Sequence, residues 1–177
     1  MSREPVYRRF PKVPFERRAA AFAIDFFGVW LVSSIAGGNF LLQSLVFLLL
    51  WMGLRVLVVS QNQGQTLGRW ALDIKVLDAK SGKTPDQLTL AKREGILGFC
   101  ALLAAIGLGI GLANGISLLV LTAPLAADCG MAYADSEIQQ AFHDRIAQTL
   151  VIQTRRGYSL DLRVKKWFAQ VRRRVQK

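Results

Sequence analysis

The sequence predicts an all-α membrane protein: four transmembrane helices as two hairpins, short cytoplasmic strand segments, and a C-terminal amphipathic helix. Three observations carry that expectation. The 177 residues are 52% hydrophobic yet carry a net charge of +11. Charged and apolar residues are segregated along the chain, where a soluble basic protein would mix them. Residues 19–38, 40–59 and 95–134 each hold a single charged residue: Asp25, Arg55 and Asp128.

About 20 apolar residues cross the hydrocarbon core as a helix, so the run 95–134 divides into two spans. The expected spans are 19–38, 40–59, 95–113 and 115–134. Gly37-Gly38-Asn39 and Ala113-Asn114-Gly115 supply the turns within the two hairpins. Residues 1–18 carry net +4, residues 60–94 net +2 and residues 155–177 net +8, whereas the two turns carry no charge. The positive-inside rule therefore places both termini and the central loop in the cytoplasm. A cleaved signal peptide is disfavoured, because the first apolar run is too long and contains Asp25. Cys100 and Cys129 fall inside spans, where free cysteine acts as a small apolar residue, and no disulfide framework or metal site is expected.

The central loop has its own grammar. Leu72, Ile74 and Val76 alternate with Asp73 and Lys75, which favours a short strand. Thr84-Pro85-Asp86-Gln87 then reads as a helix start capped by Thr84, so the third helix is expected to begin near Pro85 and run on into the membrane. A shift of 75 residues superimposes Arg18 on Arg93, Asn39 on Asn114, Gln65 on Gln140 and Val76 on Val151. It also sets 72–77 opposite 147–152. If the halves are a duplication, these two strand segments are natural partners, and the hairpins form a parallel repeat about the membrane normal.

Beyond residue 152 the chain changes character. Leu160, Val164, Trp167, Phe168, Val171 and Val175 share one helical face, while Arg163, Lys165, Lys166, Arg172, Arg173 and Arg174 cover much of the rest. That pattern suits a basic amphipathic helix on anionic lipid, ahead of docking on a partner protein, with nucleic acid least favoured. The expected organisation is a basic N-terminus (1–18), a membrane domain (19–152) and a basic tail (153–177).

Three stretches together resemble the RDD family of small bacterial membrane proteins, named for an arginine and two aspartates. The first runs from Arg18 to Asp25. The second is Gly64-Gln65-Thr66-Leu67-Gly68-Arg69, continuing to Ile74-Lys75-Val76, and the third is His143-Asp144-Arg145 with Ala147 and Thr149. The resemblance covers about residues 14–152, and order and spacing make it specific. Trp70 and Asp73 stand where the family more often has a basic residue and a glycine, and Gln148 where it has a glycine. The expected location is the bacterial inner (plasma) membrane, the default for such spans, or an internal membrane such as a thylakoid, which would carry the same signals. Some members of the family are associated with sodium–proton exchange and others with larger membrane complexes. The resemblance supplies no catalytic residues.

An ionised side chain deep in a span costs roughly 2.5–3.5 kcal/mol on insertion scales, so it has a partner or a task. At 1.5 Å per residue, Asp25, Arg55 and Asp128 lie roughly 10, 6 and 9 Å from the inner helix ends. Sequence therefore groups them in one shallow layer of net negative charge. Arg55 is expected to bridge both carboxylates while Arg18 snorkels to the interface. The functional counterpart is a desolvated carboxylate that exchanges a proton or binds a cation. His143, the one histidine, is expected to knot the 64–69 loop to the fourth helix, since no second histidine or activated nucleophile accompanies it. Gly64-Gln-Thr-Leu-Gly lacks the ending of a phosphate loop. The expectation is a protein without enzymatic activity, cofactor or metal. It would serve as an accessory or assembly subunit with a membrane-protein partner or further copies of itself. The alternative is an oligomeric cation–proton exchanger using Asp25 and Asp128.

Overall fold

The computed structural model describes residues 11–111, 115–135, 138–154, 159–160, 162–164 and 167. Helix α1 spans Phe15–Ser34 and ends in a turn through Gly38, whose φ of 87° suits glycine. Asn39 then caps α2 (Phe40–Met52), its side chain accepting from the backbone N–H groups of Leu41 and Leu42. A π-helical segment, Gly53–Val58, follows and leads into α3 (Val59–Gln61). Together these make one long apolar helix, Phe40–Gln61. The short helix α4 (Leu67–Ala71) is capped by Thr66 and precedes β1 (Ile74–Asp78). Helices α5 (Gln87–Gly111) and α6 (Gly115–Ala134) form the second long pair, followed by α7 (Phe142–Ile146) and β2 (Thr149–Gln153).

Among the described residues, three helices are long and apolar enough to cross a membrane: Phe40–Gln61, Gln87–Ile110 and Gly115–Ala134. α1 is 20 residues long, but Glu16, Arg17, Arg18 and Asp25 lower its apolar content. The expected start of the third helix is corrected. α5 begins at Gln87, with the Asp86 carboxylate bonded to Thr89 in its first turn, so Asp86 takes the capping role assigned to Thr84. The turn at Ala113-Asn114 lies outside the described residues. So do Lys165, Lys166, Phe168, Arg172, Arg173 and Arg174 of the tail, where Leu160, Leu162–Val164 and Trp167 are helical.

The 75-residue echo is built into the backbone. α7 and β2 occupy the positions of α4 and β1 plus 75, residue for residue. The strands pair antiparallel with Val76 opposite its own equivalent, Val151. Antiparallel pairing of equivalent strands is the arrangement a two-fold axis through that pair requires. Hydrogen bonds repeat as well. Gln65 Nε2 donates to the Ile74 carbonyl at 2.9 Å, and Gln140 Nε2 donates to that of Thr149 at 2.9 Å. The strands and the two short helices form a cap over one end of the long helices.

Asp73 and Gln148 occupy equivalent left-handed positions, with φ of 54° and 51°. These are the positions where the sequence departs from glycine, and the geometry supplies the reason glycine is favoured there. Gln148→Gly is expected to be neutral or to raise stability by up to about 1 kcal/mol. Reversible unfolding in detergent measures it; a loss of stability would contradict the strain assigned to this turn.

Beneath the cap the long helices pack around an aromatic layer. Phe26, Phe47, Trp51, Leu97 and Ala101 form its buried core, with Phe22 packed against it. Phe47 and Trp51 stack at 5.7 Å between centroids. Gly98 admits the indole of Trp51, since a Cβ there would sit 2.7 Å from Cδ1 of that ring.

Candidate functional site

Between the aromatic layer and the cap lies a layer of buried charge. Asp25 is 2% exposed and fully engaged. One carboxylate oxygen accepts from Arg55 Nη1 at 2.8 Å and from the Thr66 hydroxyl at 2.6 Å. The other accepts from the backbone N–H of Gly68 at 2.8 Å. Gly68 is required for that approach, because a Cβ would fall on the carbonyl oxygen of Ala21. The 64–69 motif is therefore docked on α1 through Asp25, to which α4 presents the Gly68 N–H of its first turn.

Arg55 does not bridge Asp25 to Asp128 as the sequence suggests. Its second partner is Glu94, with Nε donating at 2.6 Å, and its guanidinium lies 4.7 Å from the Trp51 ring centroid. The π-helical segment containing Arg55 turns both Arg55 and Val56 inward. Glu94 also accepts from Arg69 Nη2 at 2.9 Å and from Arg93. Sequence reasoning missed Glu94 and Arg93 as site residues because they flank the apolar run at 95. α5 starts eight residues earlier than that run, so both lie inside the helix and are buried.

Asp128 faces the other half of the cap. It accepts from the backbone N–H of His143 at 2.9 Å and contacts His143 Nδ1 at 2.5 Å. Arg93 Nη2 lies 3.1 Å from His143 Nε2. The His143 ring stands between the Asp128 carboxylate on its Nδ1 side and the Arg93 guanidinium on its Nε2 side. His143 thus ties α7 to α6 and α5, while the 64–69 loop is held by α1. Asp144 is fully buried and paired with Arg93 at 2.8 Å and with Arg18. Arg18 bonds the Gln139 carbonyl as well, so it closes the layer instead of snorkelling. Arg145 lies outside, paired with Asp135 at the surface.

Four guanidiniums (Arg18, Arg55, Arg69, Arg93) face four carboxylates (Asp25, Glu94, Asp128, Asp144) around the His143 ring. Guanidiniums and carboxylates are equal in number, which corrects the net negative charge inferred from three residues. Burial alone would raise the Asp144 carboxyl, but Arg93 and Arg18 hold it well below the usual carboxylate range. For Arg69, burial and the adjacent Arg55 and Arg93 push the guanidinium below its usual value, and Glu94 and Asp25 offset this only in part.

Two cavities lie on opposite sides of the aromatic layer. One of about 320 Å³ borders Arg18, Arg55, Arg69, Arg93 and His143 on the cap side. Another, of about 200 Å³, borders Ser33, Gln43 and Ser44 near the far helix ends. Among the described residues no cluster suited to a metal ion occurs, and Gly64 lies against Val76 in the cap.

Long apolar helices, a duplicated cap and a buried ionic layer define a mostly helical, multi-pass membrane protein. The family model described as RDD family matches residues 13–148, and the chain belongs to that family. No curated protein and no solved structure matches the chain significantly. In the family's own terms, Arg18 of the first stretch reaches Asp144 of the third, while Asp25 holds the second. The three stretches resembling the family converge in one layer.

Proposed function

We propose that this RDD family protein is a non-enzymatic, accessory or assembly subunit of a larger membrane complex. It crosses the membrane four times as two hairpins, α1 forming the additional span, with both termini in the cytoplasm. The membrane is a bacterial inner membrane or an internal one such as a thylakoid. The tail, with Arg163 and Trp167, grips anionic lipid beside it. The observation that carries this reading is the pairing of every carboxylate in the layer with arginine or histidine. A carboxylate that exchanges ions needs a state in which it is released, and here Asp25 and Asp128 clamp the cap to the long helices. The aromatic layer adds support, because Phe22, Phe26, Phe47 and Trp51 separate the charged cavity from the cavity near Ser33. Exposed Leu31, Ile35, Leu41, Leu45 and Leu49 offer an apolar face to lipid or to a partner.

Reconstitution in vesicles tests the reading. The native protein and Asp25→Asn are both expected to show no sodium-dependent proton flux, with Asp25→Asn losing co-purifying membrane partners. Flux in the native protein that Asp25→Asn abolishes would overturn the scaffold and establish the exchanger.

A further inference from the structure

The clamp leaves the larger cavity without a role. Its volume of about 320 Å³ falls within the range of roughly 300–1,000 Å³ common for ligand pockets. Its charged wall is one-sided: Arg18, Arg55, Arg69 and Arg93 border it, whereas none of the four carboxylates does. The carboxylates stand behind the guanidiniums and fix them, so the cavity meets a positive surface although the two kinds of group are equal in number.

Arg69 is the least satisfied of the four. The residue is 4% exposed, Nη2 is committed to Glu94 at 2.9 Å, and Nη1 is buried with no hydrogen-bond partner among the described residues. A buried guanidinium N–H without an acceptor is costly to maintain, and an anionic oxygen in the cavity would relieve it.

The rest of the wall is mostly apolar, with Phe22 on α1, Leu97 on α5, and Leu125 and Ala126 on α6. The extended contacts of α6 run to α5 and α7, and those of α1 to α2 and α4. α1 and α6 therefore flank the cavity as the two sides of a cleft in front of α5. Leu125 is half-buried and Ala126 exposed, so the apolar part of the cleft faces the surroundings of the long helices. Charge at the cap end and an apolar wall toward mid-helix is the order in which a bilayer lipid presents its head and chain.

We infer that this cleft binds a single amphiphile with an anionic oxygen head, a phosphate monoester or a carboxylate. The head sits against Arg69 and its neighbours, and the alkyl chain lies along Phe22, Leu97 and Leu125. The site is independent of the scaffold reading.

Native mass spectrometry of the purified full chain tests this with oleoyl lysophosphatidic acid and oleate as probes. Lysophosphatidylcholine of the same chain and inorganic phosphate are the comparison arms. The anionic amphiphiles are expected to bind one per chain and at least tenfold more tightly than either comparison compound. Arg69→Gln removes the unsatisfied donor and Leu125→Trp fills the apolar side. Each is expected to weaken binding at least tenfold, and Leu125→Trp, which lies outside the charged layer, is expected to melt within a few degrees of the native chain. Should Arg69→Gln fail to fold, Leu125→Trp together with Arg69→Lys carries the test. Equal binding of lysophosphatidylcholine, or full binding by both variants, would overturn the site. Inorganic phosphate binding as tightly as lysophosphatidic acid would overturn the amphiphile in favour of a free anion. A dimer that Leu125→Trp dissociates, with no amphiphile bound, would overturn it in favour of a second copy.

Discussion

Arg55→Ala is expected to destabilise the protein by about 3–5 kcal/mol, the cost of leaving buried charge without its partner. Arg55 touches Asp25 and Glu94 together, at 2.8 and 2.6 Å, so its loss strips buried Asp25 of its guanidinium and leaves Glu94 to Arg69 and Arg93. It also removes the guanidinium stacked on Trp51 at 4.7 Å. Arg55→Lys is expected to recover part of the loss, because an ammonium supplies the charge but not the planar fork that reaches both partners. Asp25→Asn/Arg55→Met should be less destabilised than Arg55→Ala, since no lone charge then faces the π-helical segment from α1. Unfolding in detergent orders these variants. Equal stability of Arg55→Ala and the native chain would contradict the layer.

The second large effect is expected at Asp144. Asp144→Asn keeps the shape but removes the negative charge that Arg18 and Arg93 share, with an expected loss of about 3–5 kcal/mol. Its pH dependence has a defined sign. The folded carboxyl is held well below its ordinary value, whereas the unfolded one titrates near 3.9. The stabilisation is therefore fully present above about pH 4 and is lost as pH falls through the folded value. The native chain should lose stability progressively in acid below about pH 4, and Asp144→Asn should show a shallower acid limb. An identical acid limb in both would assign the acid sensitivity to other groups.

How much of this was legible in the sequence depends on the kind of signal. Asp25 and Asp128 stood out because each interrupts an apolar run, and both are buried and partnered. Their true partners were hidden. Equal depth along two helices says nothing about which faces meet, so Arg55 and Asp128 looked like neighbours although they serve different halves of the cap. Glu94 was invisible for the opposite reason: beside Lys92 and Arg93 it reads as part of an ordinary polar flank, and Arg93 stands out there only as the echo of Arg18. No sequence pattern announced the π-helical segment that brings Arg55 inward.

The strands were readable because alternation and the 75-residue shift pointed to the same segments. The shift even aligned the pair that meets across the strands, Val76 and Val151. Asp73 and Gln148 looked like mere departures until their left-handed backbone gave them a reason. The one usable clue to Glu94 was the cap grammar at residues 84–87. A helix starting there necessarily carries residues 93 and 94 nearly two turns inside it.

Charges far apart in sequence close one structural layer, and Arg18 and Asp144 are the most widely separated pair described, 126 residues apart. A double-mutant cycle on Arg18→Met and Asp144→Asn, read by reversible unfolding in detergent, measures their coupling directly. A coupling of about 1 kcal/mol or more is expected, of the sign that makes the double variant less destabilised than the sum of the singles. Single effects that add within about 0.3–0.5 kcal/mol would show that the two residues do not meet and would contradict it.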